Sequence, residues 1–245
     1  MDKRLFEILK KSKSAVFFGG AGVSTESNIP DFRSEKGLYH AKEVYGLPPE
    51  ELLSHEFFMN STEKFFEYYR ENLVYPDALP NKAHIALSKL EEIGKLKAVI
   101  TQNIDGLHQK AGSKNVYELH GAVSRNRCMR CRKFYDLDYV MSAPGVPKCE
   151  CGGIVKPEVV LYDESLDERQ INGALNAIMN CDTLIIGGTS LAVYPAAGFV
   201  RYFRGNNLVL INMQETPFDR NCDLVIHEKI GEVMNLTDEE LEMLR

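Results

Sequence analysis

Four short runs, Ser14 to Phe18 (SAVFF), Leu96 to Thr101 (LKAVIT), Thr183 to Ile186 (TLII) and Leu208 to Asn212 (LVLIN), are apolar on both faces. A strand of that kind is stable only where helices cover both sides of its sheet, which is the parallel arrangement. Helical patterns lie between the runs, at about Asn81 to Ile93, Leu166 to Asn180 and Pro195 to Phe203. The alternation predicts an α/β fold built on a doubly wound parallel sheet. A chain of 245 residues buries roughly 70 to 75% of its unfolded surface and needs no disulfides to do so.

Two stretches interrupt the pattern. Leu47 to Leu73 reads as all-helical and carries Phe57, Phe58, Phe65, Phe66, Tyr68 and Tyr69, a spacing of core packing that predicts a small helical module against the sheet. Arg125 to Lys156 is rich in Cys, Pro, Gly and basic residues and poor in apolar runs, so it cannot hold itself together by a core of its own. Within it, Cys128 and Cys131 form C-x2-C and Cys149 and Cys151 form C-x-C, with seventeen residues between the pairs. Paired thiolates at this spacing converge tetrahedrally on zinc. Four reduced buried thiols are the alternative, but the segment has little apolar material to bury them. Four cysteines close the coordination sphere, which makes the zinc structural. Cys181 and Cys222 are expected in the core.

The net charge of -6 argues against a broad phosphate-binding surface and against nucleic acid as partner, although Arg125, Arg127, Arg130, Arg132 and Lys133 cluster near the cysteines. It suits cationic partners such as lysine-rich peptides. No apolar run approaches the ~20 residues that span a bilayer. Met1 to Lys13 alternates charged and apolar residues in a helical pattern rather than forming a signal peptide. A cytoplasmic protein with reduced cysteines is therefore expected, with no membrane partner.

The first apolar run ends in Gly19-Gly20-Ala21-Gly22, and Val23 to Asn28 can start a helix. Such a turn lets backbone N–H groups approach a pyrophosphate at a helix N-terminus. It continues into Ile29-Pro30-Asp31-Phe32-Arg33, where Arg33 offers a bidentate phosphate contact and Phe32 a flat cover for a ring. Thr101-Gln102-Asn103-Ile104-Asp105-Gly106-Leu107-His108 follows the second run, Leu119-His120-Gly121 follows Val116 to Tyr117, and Gly187-Gly188-Thr189-Ser190 ends the third. Polar residues gathered at the carboxyl ends of several strands mark where open α/β sheets bind ligands.

In combination these segments resemble the signature motifs of the sirtuin family, over nearly the whole chain. The resemblance implies a Rossmann-like NAD domain formed by residues 1–37, 74–124 and 157–245, with a helical module at 38–73 and a zinc-ribbon module at 125–156. It implies an NAD-dependent protein-lysine deacetylase that moves the acetyl group of acetyl-lysine proteins or peptides onto ADP-ribose and releases nicotinamide. NAD would be the co-substrate and one zinc the structural metal.

Carried over, the family's roles place Ala21, Thr25 and Arg33 at the pyrophosphate and adjoining ribose and Thr189, Ser190 and Asn212 at the adenosine half, with Gly22, Gly188 and Ile230 as further cofactor-binding residues. Phe32 would shield the reactive ribose carbon. Gln102 and Asn103 would position the nicotinamide ribose, Ile104 and Asp105 would bind the carboxamide, and His120, with Asn103, would be catalytic, taking a proton from a ribose hydroxyl. A neutral imidazole with pKa near ~6.5 suits that task. His40, His55, His84, His108 and His227 read as solvent-facing or hydrogen-bonded loop histidines.

Lys156 to Glu164 is similar to the family segment that pairs with substrate backbone as an added strand. Val160 and Val193 would line the acyl-lysine tunnel or else pack as plain core. The Tyr-x-x-Arg pair of succinyl-removing members is replaced by Phe66-Glu67-Tyr68-Tyr69, which favours an uncharged acyl group. Gly19, Asn28 and Asp163 stand where the family commonly has Thr, Gly and Gly. Two other functions remain open on the residues alone: mono-ADP-ribosyl transfer, and non-catalytic binding of NAD or ADP-ribose.

Overall fold

The computed structural model describes residues 1–31 and 42–245. Its strands are β1 (Ala15–Gly19), β2 (Leu96–Thr101), β3 (Val116–Glu118), β4 (Gly121–Cys128), β5 (Phe134–Tyr135), β6 (Val155–Val159), β7 (Thr183–Gly187), β8 (Asn207–Ile211) and β9 (Leu224–Ile226). Six of them form one sheet in the order β3-β2-β1-β7-β8-β9, with every neighbouring pair parallel.

Successive residues of these strands point to opposite faces, and both faces are covered, as their apolar runs require. Phe17, Val99, Ile185 and Val209 pack on one side with Leu5 and Leu9 of helix Lys3–Lys11 and Leu87 and Leu90 of helix Lys82–Glu92. Phe18, Ile100, Ile186 and Leu210 pack on the other with Ala174 and Ile178 of helix Glu168–Asn180. Each fully buried side chain of this size contributes about 1.5 to 3 kcal/mol. The helices start where the side chains of Asp2, Asn81 and Asp167 accept hydrogen bonds from first-turn N–H groups.

Two segments differ from their sequence-based expectation. Val23 to Asn28 does not open an α-helix; the chain makes two 3-10 turns, Ala21–Val23 and Thr25–Ser27, and leaves the second through Asn28 in the left-handed region. Pro195 to Phe203 winds as a 3-10 helix, Ala196–Tyr202, with the poor helix former Gly198 at its centre.

β4, β5 and β6 form a separate antiparallel sheet. Helices Pro49–Leu52, His55–Asn60 and Thr62–Asn72 share one apolar cluster with it, Phe58, Phe65, Phe66 and Tyr69 being packed together with Val155 and Val159. Arg70 fastens the two units by donating to the carbonyl oxygens of Val140, Ala143 and Gly145. No helix among the described residues is long and apolar enough to cross a membrane.

Candidate active site

Strand register places the site. Gly19 pairs with Thr101 and with Gly187, and Gly187 with Ile211, so four strands end at one level and their loops leave side by side. Chain order runs outward from β1 through β2 to β3 on one side, and from β7 through β8 to β9 on the other. The crevice between β1 and β7 is thus a topological switch point, where doubly wound sheets bind dinucleotides. The two loops that wall it touch. Gly22 N donates to Gly188 O at 2.8 Å, and a Cβ on Gly22 would lie 2.8 Å from Gly188 Cα. Gly188 itself has φ +58°. Both positions therefore need glycine for the loops to meet.

A hydrogen-bonded chain joins the loops that leave β1 and β2. Asn103 Nδ2 donates to Ser24 Oγ at 3.0 Å, Ser24 Oγ donates to Asp105 Oδ2 at 2.6 Å, and Asp105 Oδ1 accepts from Leu107 N at 2.9 Å. Gln102 Nε2 reaches Thr189 Oγ1 at 3.3 Å. The backbone oxygen of Gln102 lies 2.9 Å from His120 Nδ1. A carbonyl can only accept, so Nδ1 carries the proton and Nε2 is left as a base. Burial pushes the His120 pKa below its ordinary value, with the Gln102 carbonyl acting weakly in the opposite sense. The imidazole is therefore neutral at pH 7.

Of the residues singled out in the sequence, Gln102, Asn103, Asp105, His120 and Thr189 are thus drawn together. Ala21, Gly22 and Gly188 are half-buried in the facing loops, with exposed Ser190 beside Thr189. Exposed Thr25 donates its hydroxyl to Gly22 O. Ile104 accepts from Val123 N, and Asn212 leaves β8 with its side-chain amide on Gln214 O. Ile230 is buried beneath Gly187, where a Cβ would meet its Cδ1. Val160 donates its N–H to His120 O at 3.0 Å. Val160 and Val193 are both half-buried rather than core. Phe32, Arg33 and His40 lie outside the described residues.

Sequence reasoning passed over Ser24, which stands two residues after Gly22 of the glycine turn, and misjudged two histidines. His84 and His108 are 0% and 1% exposed and lie in the helices Lys82–Glu92 and Leu107–Lys110, so neither is solvent-facing or in a loop. His55 pairs with Glu164 and His227 with Asp219, as a bland reading expects. Cys181 is buried, whereas Cys222 is only partly so.

Asn28 and Asp163, the two departures from glycine, have φ 62° and 71°. Asn and Asp tolerate this region better than other side-chain-bearing residues, so the loops keep their shape.

The thiol sulfurs of Cys128, Cys131, Cys149 and Cys151 all lie within 4.8 Å of one another, with Cys128 to Cys151 and Cys131 to Cys149 at 3.5 Å. A tetrahedron of Zn–S bonds of ~2.3 Å has edges of about 3.8 Å, so the set fits zinc. All four positions are protein thiols, which leaves none for water.

Comparison with known proteins agrees with this geometry. The Sir2 family model matches residues 20–195. The NAD-dependent protein deacetylase of Clostridium acetobutylicum is 62% identical over 232 residues, 94% of this chain and 95% of that protein. A crystal structure of a Sir2 homologue in complex with NAD superposes with a TM-score of 0.88 at 37% identity, covering 100% of this chain and 94% of the other. A Sir2 structure with a p53 peptide and NAD+ has a TM-score of 0.84 at 37% identity, over 96% and 95% of the two chains. The fold and site define a Rossmann-like enzyme with a four-cysteine ribbon. The chain belongs to the Sir2 family.

Proposed function

We propose that this protein is an NAD-dependent protein-lysine deacetylase, working in the cytoplasm on acetyl-lysine proteins or peptides. The observation that carries the reading is the convergence of a neutral, correctly protonated imidazole, a carboxylate and two side-chain amides on one switch-point crevice. Similarity to named deacetylases along almost the whole chain supports it. The NAD-binding body comprises residues 1–37, 74–124 and 157–245, the helical module 38–73 and the zinc ribbon 125–156.

NAD supplies a ribose carbon activated by a cationic leaving group. Around it the chain's own residues divide the work. Ala21, Gly22, Thr25 and Arg33 hold the pyrophosphate side, and Gly188, Thr189, Ser190, Asn212 and Ile230 the adenosine half. Gln102 and Asn103 orient the nicotinamide ribose, Ile104 and Asp105 hold the carboxamide, and Phe32 excludes water. His120 accepts a proton from a ribose hydroxyl at Nε2. Val160 and Val193 flank the acyl-lysine chain, and the backbone of Lys156 to Glu164 pairs with the peptide. Cys128, Cys131, Cys149 and Cys151 would hold zinc and so tie down the ribbon, from which β6 runs directly to Val160.

The test is mass spectrometry of an acetylated peptide incubated with the protein, with and without NAD. Deacetylation predicts free lysine, nicotinamide and O-acetyl-ADP-ribose only when NAD is present. ADP-ribosylated peptide without O-acetyl-ADP-ribose would replace the proposal with mono-ADP-ribosyl transfer.

A further inference from the structure

On and against the short helix Leu107–Lys110 that follows Asp105, the chain buries polar groups that the reaction as described does not use. The rings of His84 and His108 lie 4.7 Å apart between centroids, and the ring of Phe17 is 6.2 Å from that of His108. Among the described residues His84 Nε2, both ring nitrogens of His108 and Ser113 Oγ are buried with no hydrogen-bond partner. Ser113 adjoins this pair, since its N–H donates to His108 O at 3.0 Å. Buried polar atoms in folded proteins are nearly always satisfied, by protein or by internal water.

Protonation can be read from the helix cap. His84 Nδ1 accepts from the backbone N–H of Asn81 at 3.3 Å, so in the neutral ring the proton sits on Nε2. Burial keeps both rings uncharged, while the Asp105 carboxylate pulls His84 weakly toward protonation. His84 is thus one donor, neutral His108 is one donor and one acceptor, and Ser113 is both. These satisfy water without stranding a charge. His108 also belongs to the short helix Leu107–Lys110, whose first N–H is held by Asp105 Oδ1. A shift of His108 therefore moves the turn that aims Asp105.

We propose that His84, His108 and Ser113 enclose internal water, and that His108 is a positioning residue which, through this water, His84 and its own turn, fixes the Asp105 carboxylate toward the carboxamide of nicotinamide. The inference rests on the deacetylase reading and deepens it.

The experiment compares His108→Leu with His108→Gln in the full chain, by steady-state deacetylation and by exchange of labelled nicotinamide into NAD. In the folded Leu variant, kcat and nicotinamide exchange fall roughly tenfold while the KM for acetylated peptide is unchanged. Gln, which can still bond to water, recovers most of the loss. Wild-type kcat and exchange in the Leu variant overturn the proposal, and so do equal losses in both variants accompanied by equal falls in melting temperature. Should the Leu variant not fold, imidazole 15N spectra of the wild-type protein decide: the proposal requires the Nε2–H tautomer at His84, and Nδ1–H there overturns it. Wild-type protein that does not deacetylate the peptide would remove the deacetylase reading itself, leaving the spectra to judge the buried pocket.

Discussion

Ser24 Oγ and Asp105 Oδ2, on loops leaving β1 and β2, are joined by a 2.6 Å hydrogen bond. The same hydroxyl accepts from Asn103 Nδ2, so one side chain aims both the carboxylate and the amide of the proposed nicotinamide site. Ser24→Ala should lower kcat/KM for NAD by about tenfold to a hundredfold, because small misplacement of a reacting pair is costly. Stability should fall by only ~1 kcal/mol. Steady-state kinetics against NAD checks this, and an unaltered kcat/KM would remove Ser24 from the site.

The proposed base, His120, can accept a proton only when neutral. Its pKa is lowered by burial, so the base form survives below the ordinary histidine value of ~6.5. The acid limb of kcat/KM should therefore lie below pH ~6.5, with a plateau above it. An acid limb at or above neutrality would contradict the environment described. His120→Ala should cost at least about a hundredfold in kcat.

Much of this arrangement is legible in the residues alone, for a physical reason. Strands buried on both faces betray themselves as continuous apolar runs, and β2 falls on Leu96–Thr101 as read, while β1, β7 and β8 shift by a residue or so at their ends. β9 and β4 escape detection, β9 as a three-residue edge strand and β4 because Gly121–Cys128 is largely polar and only partly buried. Gln102, Asn103, Asp105 and His120 are readable as polar residues at strand ends. Ser24 is not, because its role exists only once two loops far apart in sequence cross. His84 has a faint signal: it stands three residues after the Asn81 cap, among Ala83, Ala86, Leu87 and Leu90 of the helix's buried face.

Metal removal should act through structure before chemistry. The ribbon has little core of its own, and β6 leads straight to Val160, whose N–H holds His120 O. One zinc per chain is expected by elemental analysis, and cobalt replacement should give the absorption of a tetrahedral thiolate site. A strong chelator should lower the melting temperature and abolish deacetylation together, since ligand binding energy is folding energy here. Full activity in metal-free protein would refute a structural role.

Two left-handed residues give a test of backbone strain. At Asn28 and Asp163, with φ 62° and 71°, replacement by Gly should be tolerated, and replacement by Val should cost about 1 to 2 kcal/mol. Urea unfolding of Asn28→Gly and Asn28→Val measures the difference. Equal stability of the two would show that this turn does not hold its conformation in solution.

The buried histidine pair should make the fold acid-sensitive. Burial lowers the pKa of both His84 and His108 in the folded protein, whereas in the unfolded chain each titrates near ~6.5. Below that value the unfolded state binds protons that the folded state refuses, so stability is complete above pH ~6.5 and declines as pH falls. From pH 6.5 to pH 5 a ring that stays neutral forfeits up to about 2 kcal/mol. His108→Phe removes one such proton site and should flatten the dependence of unfolding free energy on pH between 7 and 5, even if it lowers the absolute stability. Urea titrations of both proteins at several pH values over that window measure the slopes. Equal slopes would mean that the folded state binds the His108 proton as readily as the unfolded chain does.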